Sequence, residues 1–194
     1  MNKSSDFILA SASPRRKKLL REAGYSFDII PSQVDESAFP TEGIASDEHT
    51  MLLAAAKARN VANTHPDRLV LGADTIVDLN GQIIGKPRDA AHAEQITRDL
   101  FSEPHKVITG LALVRLSDNL EIIRHAVTTV YPRKLTEQQI ADHIAAGDWQ
   151  GKAGAYGIQE TGDEFVERIE GSFTNVIGLP LELVKELLDP LLSE

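Results

Sequence analysis

The stretch FILASASPRRKKLL, residues 7–20, places a short apolar run before a serine-proline pair and four cations. Phe7–Ala10 predicts a short buried strand. Ser13 is typical of a helix N-cap, and Pro14 suits the first helical position because its missing N–H would be unpaired there anyway. A strand that leads directly into a helix, here ended by Gly24, indicates an α/β protein.

Helical and strand patterns alternate along the rest of the chain. Asn80-Gly81 between two apolar runs predicts a β-hairpin, so the sheet is expected to be mixed rather than purely parallel. Further strands are expected at 25–30, 69–77, 82–85, 107–116, 120–132 and 164–169, and helices at 46–64, 89–101, 136–146 and 180–188, with the longest loop at 31–47. We therefore expect an α/β fold with a mixed sheet and flanking helices, in a single domain over residues 1–194.

Composition excludes several classes of protein. The 194 residues are 42% hydrophobic and 25% charged, as in soluble globular proteins. No apolar run approaches the ~18 residues that a membrane helix needs, so no membrane partner is expected. The absence of cysteine excludes disulfide frameworks and thiolate metal sites. Because no export signal is evident, we expect a cytoplasmic location.

The charge distribution indicates a confined anion site. The net charge is −9, yet residues 1–21 carry six cations and one acid, or +5, which leaves −14 for the remainder. Nucleic-acid-binding domains usually carry a broad basic surface and stacking aromatics, whereas aromatic residues make up 5% of this chain. We therefore expect no nucleic-acid partner.

The basic cluster lies where helix electrostatics disfavours it. A helix N-terminus carries about half a positive charge, so Arg15 and Arg16 are unfavourable there unless an anion lies among them. Free N–H groups at a helix N-terminus bind phosphate, arginine forks match phosphate oxygens, and Ser11 and Ser13 add hydroxyl donors. We interpret the segment as a polyphosphate site. The alternative, a solvated basic face, suits the two lysines that follow.

A carboxylate interrupts the apolar stretch LVLGADTIV, residues 69–77. Burying Asp74 in such a strand is costly unless it is paired or binds a metal. Gly72 shares a strand face with Asp74 and would allow another group to approach the backbone closely. We interpret Asp74 as a functional carboxylate. The alternative is an aspartate in a turn, although the turn signal comes only at Asn80-Gly81.

Other charged residues are weak candidates when taken singly. Lys57 interrupts an alanine run, as a lysine that extends to solvent often does. Lys86 lies in a rigid glycine-proline connection. Asp35 and Glu36 form a carboxylate pair that either holds Mg²⁺ or is solvated. The six histidines show no metal-ligand spacing, and we interpret them as structural or surface residues.

Seven blocks together resemble the Maf family of nucleotide pyrophosphatases. In chain order they are LASASPRRKKLL, VDES, AAAKAR, LGADTIV, NGQIIGKPRD, KAGAYGIQ and GSFTNVIGLP, and they span nearly the whole chain. The resemblance implies an elongated mixed α/β fold similar to that of inosine triphosphate pyrophosphatases, with an active-site cleft between two lobes. It also implies hydrolysis of nucleoside triphosphates to the monophosphate and pyrophosphate with a divalent cation, Mg²⁺ or Mn²⁺.

The family motifs imply roles for individual residues. Asp74 corresponds to the catalytic carboxylate. Phosphate binding is implied for Ser11, Arg15, Arg16, Lys57 and Lys86, and metal binding for Asp35, Glu36 and Asp74. Substrate specificity is implied for Arg15, Thr75 and Gln159, a set similar to that of dTTP/UTP pyrophosphatases. The residues leave open whether Asp74 is a general base or a metal ligand.

Alternatives to a dTTP/UTP pyrophosphatase stay open at this point. Glu160 replaces the glycine that often follows GIQ in the family, which leaves the substrate spectrum open. One alternative is a pyrophosphatase of the 7-methyl-GTP type. The other is a nucleotide-binding regulator of cell division (septum formation) in which catalysis is not essential. The sequence does not decide between a monomer and a homodimer.

Overall fold

The computed structural model describes residues 5–156 and 165–193. Its strands are β1 (Phe7–Leu9), β2 (Phe27–Ile29), β3 (Val70–Leu79), β4 (Gln82–Ile84), β5 (His105–Arg115), β6 (Leu120–Pro132) and β7 (Val166–Glu170). Its helices are α1 (Pro14–Glu22), α2 (Ser46–Ala62), α3 (Ala90–Leu100), α4 (Glu137–Ala146), α5 (Phe173–Ile177) and α6 (Leu181–Leu192). Short 3-10 turns occur at Glu36–Ala38 and Ala153–Ala155.

The seven strands form one mixed sheet, which confirms the α/β prediction. Six strands follow the order β2-β1-β3-β5-β6-β7, and β4 pairs with β3. Strand β1 is parallel to β2 and β3, whereas the pairs β3–β4, β3–β5, β5–β6 and β6–β7 are antiparallel. The predicted turn at Asn80-Gly81 is present, and both residues have positive φ.

Helices pack on both faces of the sheet. Helix α2 covers one face, where its alanines, including Ala54 and Ala58, pack against Val70 of β3. The opposite face packs against α1, α3 and α6 in a larger apolar core. Small side chains along α2 allow a close approach to β3, and this approach positions the site described below.

Some boundaries differ from the sequence predictions. Helix α6 continues four residues past the expected end at 188 and through Pro190, because Leu191 and Leu192 still pack against the core. The loop expected at 31–47 contains a 3-10 turn and the start of α2. Helix α5 was not predicted, and residue 164 of the expected last strand lies outside the described residues. The single domain over 1–194 stays a prediction.

No helix within the described ranges is both long enough and apolar enough to cross a membrane.

Candidate functional site

A cavity of about 680 Å³ lies between the β1–α1 junction, α2, β3 and the segment 150–156. This volume is within the usual range of small-molecule sites. Nine of the residues singled out in the sequence line it: Ser11, Ser13, Arg15, Arg16, Glu36, Lys57, Asp74, Thr75 and Lys86. Gln159, expected to contribute to specificity, and Glu160 lie outside the described residues. The fold thus brings separate sequence blocks to one place.

The start of α1 forms one wall of this cavity. As predicted, Ser13 is the N-cap, its hydroxyl accepts from the Arg16 N–H at 3.4 Å, and Pro14 begins the helix. The Ser11 hydroxyl accepts from the Ser13 N–H at 3.2 Å. The first turn of α1 contains no acidic residue, so the positive end of the helix is not neutralised by its own side chains. This wall is suited to an anionic ligand.

The Arg16 guanidinium makes several hydrogen bonds to the protein itself. Its Nε donates to the Gly178 carbonyl at 2.9 Å, and Nη1 donates to the Ala73 carbonyl at 2.9 Å and to the Ser11 hydroxyl at 3.3 Å. Nη2 donates to Thr75 Oγ1 at 3.0 Å. Arg16 therefore holds α1 against the residues on both sides of Asp74, in addition to lining the cavity.

Burial has the largest effect on the pKa of Arg16. It lowers the pKa of the guanidinium below its usual value, and the charge of Arg15 acts in the same direction while Asp74 and Glu36 oppose it. A planar group with several fixed donors is suited to this position, because it can satisfy neighbouring carbonyls while it remains charged.

We expect Arg16→Lys to destabilise the protein although the charge is kept. An ammonium on one nitrogen cannot reach the Gly178 carbonyl, the Ala73 carbonyl and Thr75 together, so buried acceptors lose their donors. An unsatisfied buried polar group costs about 1–3 kcal/mol. Urea unfolding measures the change, with Arg21→Lys, an exposed arginine of the same helix, as the control. Equal stabilities of the two variants would contradict the bridging role.

Glycines allow α2 to approach the strand that carries Asp74. A Cβ added to Gly72 would lie 2.2 Å from the Ala54 carbonyl oxygen, and one added to Gly110 would lie 2.3 Å from the Thr50 carbonyl oxygen. Gly110 pairs directly with Asp74 across β3 and β5. The predicted role of Gly72 in a close approach is confirmed, and the approaching group is the backbone of α2.

This approach brings Lys57 between two carboxylates. Its Nζ lies 2.7 Å from Asp74 Oδ1 and 2.7 Å from Glu36 Oε1. Lys57 and Asp74 are 7% and 6% exposed, whereas the Glu36 side chain is 55% exposed. Lys57 is therefore a buried bridge rather than a side chain extended to solvent. It is the counterion of Asp74, whose burial the sequence left unexplained.

Nearby cations lower the pKa of Glu36. Burial tends to raise the pKa of Glu36, but the hydrogen bond and charge of Lys57, together with the charges of Lys86 and Arg16, outweigh it and lower the pKa. Glu36 is thus held ionised at the mouth of the cavity. The effect of Lys86 indicates that this exposed lysine belongs to the same electrostatic site.

Asp35 is placed differently from its neighbour. It is exposed and caps the 3-10 turn, where its Oδ1 accepts from the Ser37 N–H at 3.0 Å and from the Ser37 hydroxyl at 2.6 Å. These hydrogen bonds lower its pKa. Its role as a metal ligand stays a prediction. Among the residues that the structure describes, no group of three or more histidine, aspartate and glutamate side chains is arranged to hold a metal ion.

Thr75 is held from several sides. Its hydroxyl accepts from Arg16, lies 2.9 Å from the hydroxyl of the fully buried Thr109, and donates to the Gly178 carbonyl at 3.2 Å. The position of Thr75 in the cavity wall is therefore fixed by its neighbours.

Several residues of the cavity wall lie outside the set of candidate site residues predicted from the sequence. Lys152 and Tyr156 line it, together with Val77, Val107 and Ile177 on its apolar side. The available signal was the block KAGAYGIQ, where a lysine and a tyrosine flank small residues. Three histidines are buried: His49 contacts the Pro40 carbonyl, and His105 and His143 lie among core residues.

The chain is similar to known proteins over almost its whole length. Residues 6–191 match the model of the family described as Maf-like protein. The chain is 46% identical over 185 residues to the dTTP/UTP pyrophosphatase of Escherichia coli O157:H7, covering 95% of this chain and 92% of that protein. It is 44% identical over 179 residues to the dTTP/UTP pyrophosphatase of Citrifermentans bemidjiense, covering 92% of each.

A solved structure supports the fold independently. The HAM1 protein from Coxiella burnetii superposes with a TM-score of 0.51 over 98% of this chain and 100% of that one, at 15% identity, which is evidence for the fold alone. The family match covers almost the whole chain. The chain belongs to the Maf family.

Proposed function

We propose that this protein is a nucleoside triphosphate pyrophosphatase that hydrolyses dTTP and UTP to the monophosphate and pyrophosphate. The observation that carries the proposal is the Lys57 bridge to Asp74 and Glu36 inside a cavity that also contains Arg15 and Lys86. Several cations are needed to neutralise a triphosphate, and hydrolysis is assisted by a base beside the reacting phosphorus, a role that a carboxylate can fill. The relatives named dTTP/UTP pyrophosphatase support the substrate class.

In the reaction, water attacks the α-phosphorus and the bond to the bridging oxygen of the β-phosphate breaks. Asp74 accepts the proton from the attacking water. Its Oδ1 is held by Lys57, which orients the carboxylate and leaves Oδ2 to act as the base. The positive groups of the α1 wall, with Lys86, stabilise the charge that develops on the leaving pyrophosphate.

Glu36 and Asp74 also fit a divalent cation. Both carboxylates lie 2.7 Å from Lys57 Nζ, so they lie close to each other in the cavity. Mg²⁺ commonly takes one or two protein carboxylates together with substrate phosphates, and does not need a cage made only of protein ligands. Held by these two carboxylates beside the Lys57 ammonium, Mg²⁺ or Mn²⁺ would neutralise phosphate charge. The hydrogen bonds of Asp35 to Ser37 make it the weaker candidate of the three.

The proposal includes a specificity for pyrimidines that carry an N3–H. We expect dTTP and UTP to be cleaved well, and CTP, purine triphosphates and 7-methyl-GTP poorly. The amide of Gln159 can donate to a carbonyl and accept from N3–H, as thymine and uracil require. Cytosine lacks that hydrogen, and an unsatisfied buried polar group costs about 1–3 kcal/mol, which is about 5- to 150-fold in kcat/KM.

The test is a panel of triphosphates with Mg²⁺ or Mn²⁺, in which monophosphate and pyrophosphate are measured. Gln159→Glu should lose UTP activity because a carboxylate accepts but does not donate. The adjacent change Glu160→Gln is the control, and it should keep the preference of UTP over CTP. Comparable kcat/KM for CTP and UTP, or a preference for 7-methyl-GTP, would reject the proposed role of Gln159.

A cytoplasmic location and the absence of a nucleic-acid partner are further parts of the proposal. The choice between a monomer and a homodimer is made by size-exclusion chromatography with and without UTP, which measures the oligomeric state directly.

A further inference from the structure

A buried histidine that the proposed chemistry does not use lies behind the cavity. His105 is the first residue of β5 and is 2% exposed. Its Nδ1 lies 3.1 Å from the carbonyl oxygen of Leu100, at the end of α3, and its Nε2 lies 2.7 Å from the hydroxyl of Tyr156. Tyr156 lines the cavity, and so does Val107, two residues along the same face of β5. The histidine is therefore one hydrogen bond away from the ligand site.

The chemistry of the neighbours fixes the direction of both hydrogen bonds. A carbonyl oxygen only accepts, so Nδ1 of His105 carries the hydrogen. Burial lowers the pKa of His105 to about 4, although backbone contacts at Leu100 and Glu103 act to raise it. The imidazole is then neutral at neutral pH, and its Nε2 accepts. Burial also raises the pKa of Tyr156, so this hydroxyl keeps its proton and donates.

The segment that ends at Tyr156 has an unfavourable backbone conformation. Ala155 has φ of 61°, and a residue with a side chain adopts such a value only when its surroundings hold it there, whereas Gly154, with φ of 74°, adopts it without strain. One restraint is His143 of α4, whose Nε2 donates to the Ala155 carbonyl at 2.8 Å. The other is the bond from Tyr156 to His105. The two histidines come from different elements and act on consecutive residues.

We propose that His105 is a positioning residue, which holds the Tyr156 hydroxyl and with it the wall Ala153–Tyr156 in the conformation that receives the nucleotide. Asp74 and Lys57 are carried by β3 and α2, so the loss of His105 should affect nucleotide affinity more than the chemical step. The inference rests on the proposed function for its kinetic readout.

The experiment compares His105→Leu, Tyr156→Phe, the double variant and His105→Gln. Each of the first two should raise KM for UTP about tenfold, as expected for the loss of one buried hydrogen bond, with kcat nearly unchanged. The double variant should be no worse than either single variant, because both remove the same bond. His105→Gln should recover much of the affinity, since its amide oxygen can accept from the Tyr156 hydroxyl.

The control is Thr97→Val, which removes a buried hydroxyl of α3 that donates to the Ala93 carbonyl at 2.8 Å. It should lower stability without changing KM. If His105→Leu does not fold, the positioning role is tested with Tyr156→Phe, which removes a single oxygen atom. An unchanged KM in Tyr156→Phe, effects that multiply in the double variant, or a loss of kcat at constant KM would each overturn the positioning role.

Two measurements separate this inference from the proposed function. If the wild type does not hydrolyse UTP or dTTP, the proposed function fails, and calorimetric binding of UTP to the same variants still tests the positioning role. Nitrogen NMR of the imidazole should show the neutral Nδ1–H form in the wild type, with the Nε2 resonance shifted in Tyr156→Phe. A protonated imidazole or an Nε2–H form at neutral pH would overturn the assignment.

Discussion

Asp74→Asn is expected to lower kcat by about 10²–10⁴-fold while the fold stays intact. Asparagine has nearly the same shape, but it neither accepts a proton from water nor gives a metal a full negative charge. Steady-state hydrolysis of UTP measures the loss, and urea unfolding shows that the variant is folded. Retention of more than about a tenth of the wild-type kcat would exclude Asp74 as the general base and as an essential metal ligand.

Asp78→Asn is a matched control on the same strand. Asp78 is as buried as Asp74, but its carboxylate accepts from the Ser46 hydroxyl and from the Gly81 N–H at 3.1 Å. This substitution should change stability and leave kcat nearly unaltered. The pair of variants therefore separates a role in the reaction from the general effect of removing a buried charge on β3.

The variant Asp74→Asn also distinguishes an enzyme from a nucleotide-binding regulator. The cations of the cavity are intact in Asp74→Asn, so it should still bind triphosphate when calorimetry is used in place of turnover. A regulator without essential catalysis would keep its cellular effect in this variant. An enzyme whose effect depends on hydrolysis would lose it.

Local patterns in the sequence predicted the parts of the site that are formed locally. The apolar run before Ser13-Pro14 predicted β1 and the start of α1, and both lie where expected within one residue. Arginines are unfavourable at the positive end of a helix, and their presence there predicted an anion site at what is one wall of the cavity. The carboxylate inside LVLGADTIV predicted a second part of the site, because burial of an unpaired charge is unfavourable in any fold.

Contacts between distant elements could not be predicted in the same way. Lys57 looks like a solvent-directed lysine in the sequence, and its pairing with Asp74 depends on glycines of two strands that let α2 approach. The hydrogen bond from Arg16 to Gly178 joins residues near opposite ends of the chain. The tautomer of His105 depends on Tyr156 and Leu100, which no spacing rule relates to it.

Lys57→Met is expected to destabilise the protein by about 3–5 kcal/mol, the usual effect of removing one partner of a buried ion pair. Methionine fills a similar volume, but Asp74 keeps a buried charge without a counterion. The pKa of Glu36 should rise toward its ordinary value, because Lys57 is the main group that lowers it. Urea unfolding at neutral pH gives the free energy, and turnover of UTP should be lost together with the bridge.

The double variant Lys57→Met/Asp74→Asn separates the charge effect from packing. If the destabilisation comes from an unpaired carboxylate, neutralising that carboxylate should restore most of the lost stability, without restoring turnover. Lys18→Met is the control for loss of a lysine. Lys18 lies 3.8 Å from Glu22 on an exposed face, and such pairs contribute less than about 1 kcal/mol. The contrary outcome is a double variant whose loss of unfolding free energy equals the sum of the losses in Lys57→Met and Asp74→Asn. The two side chains would then act independently, and the bridge would have no energetic role.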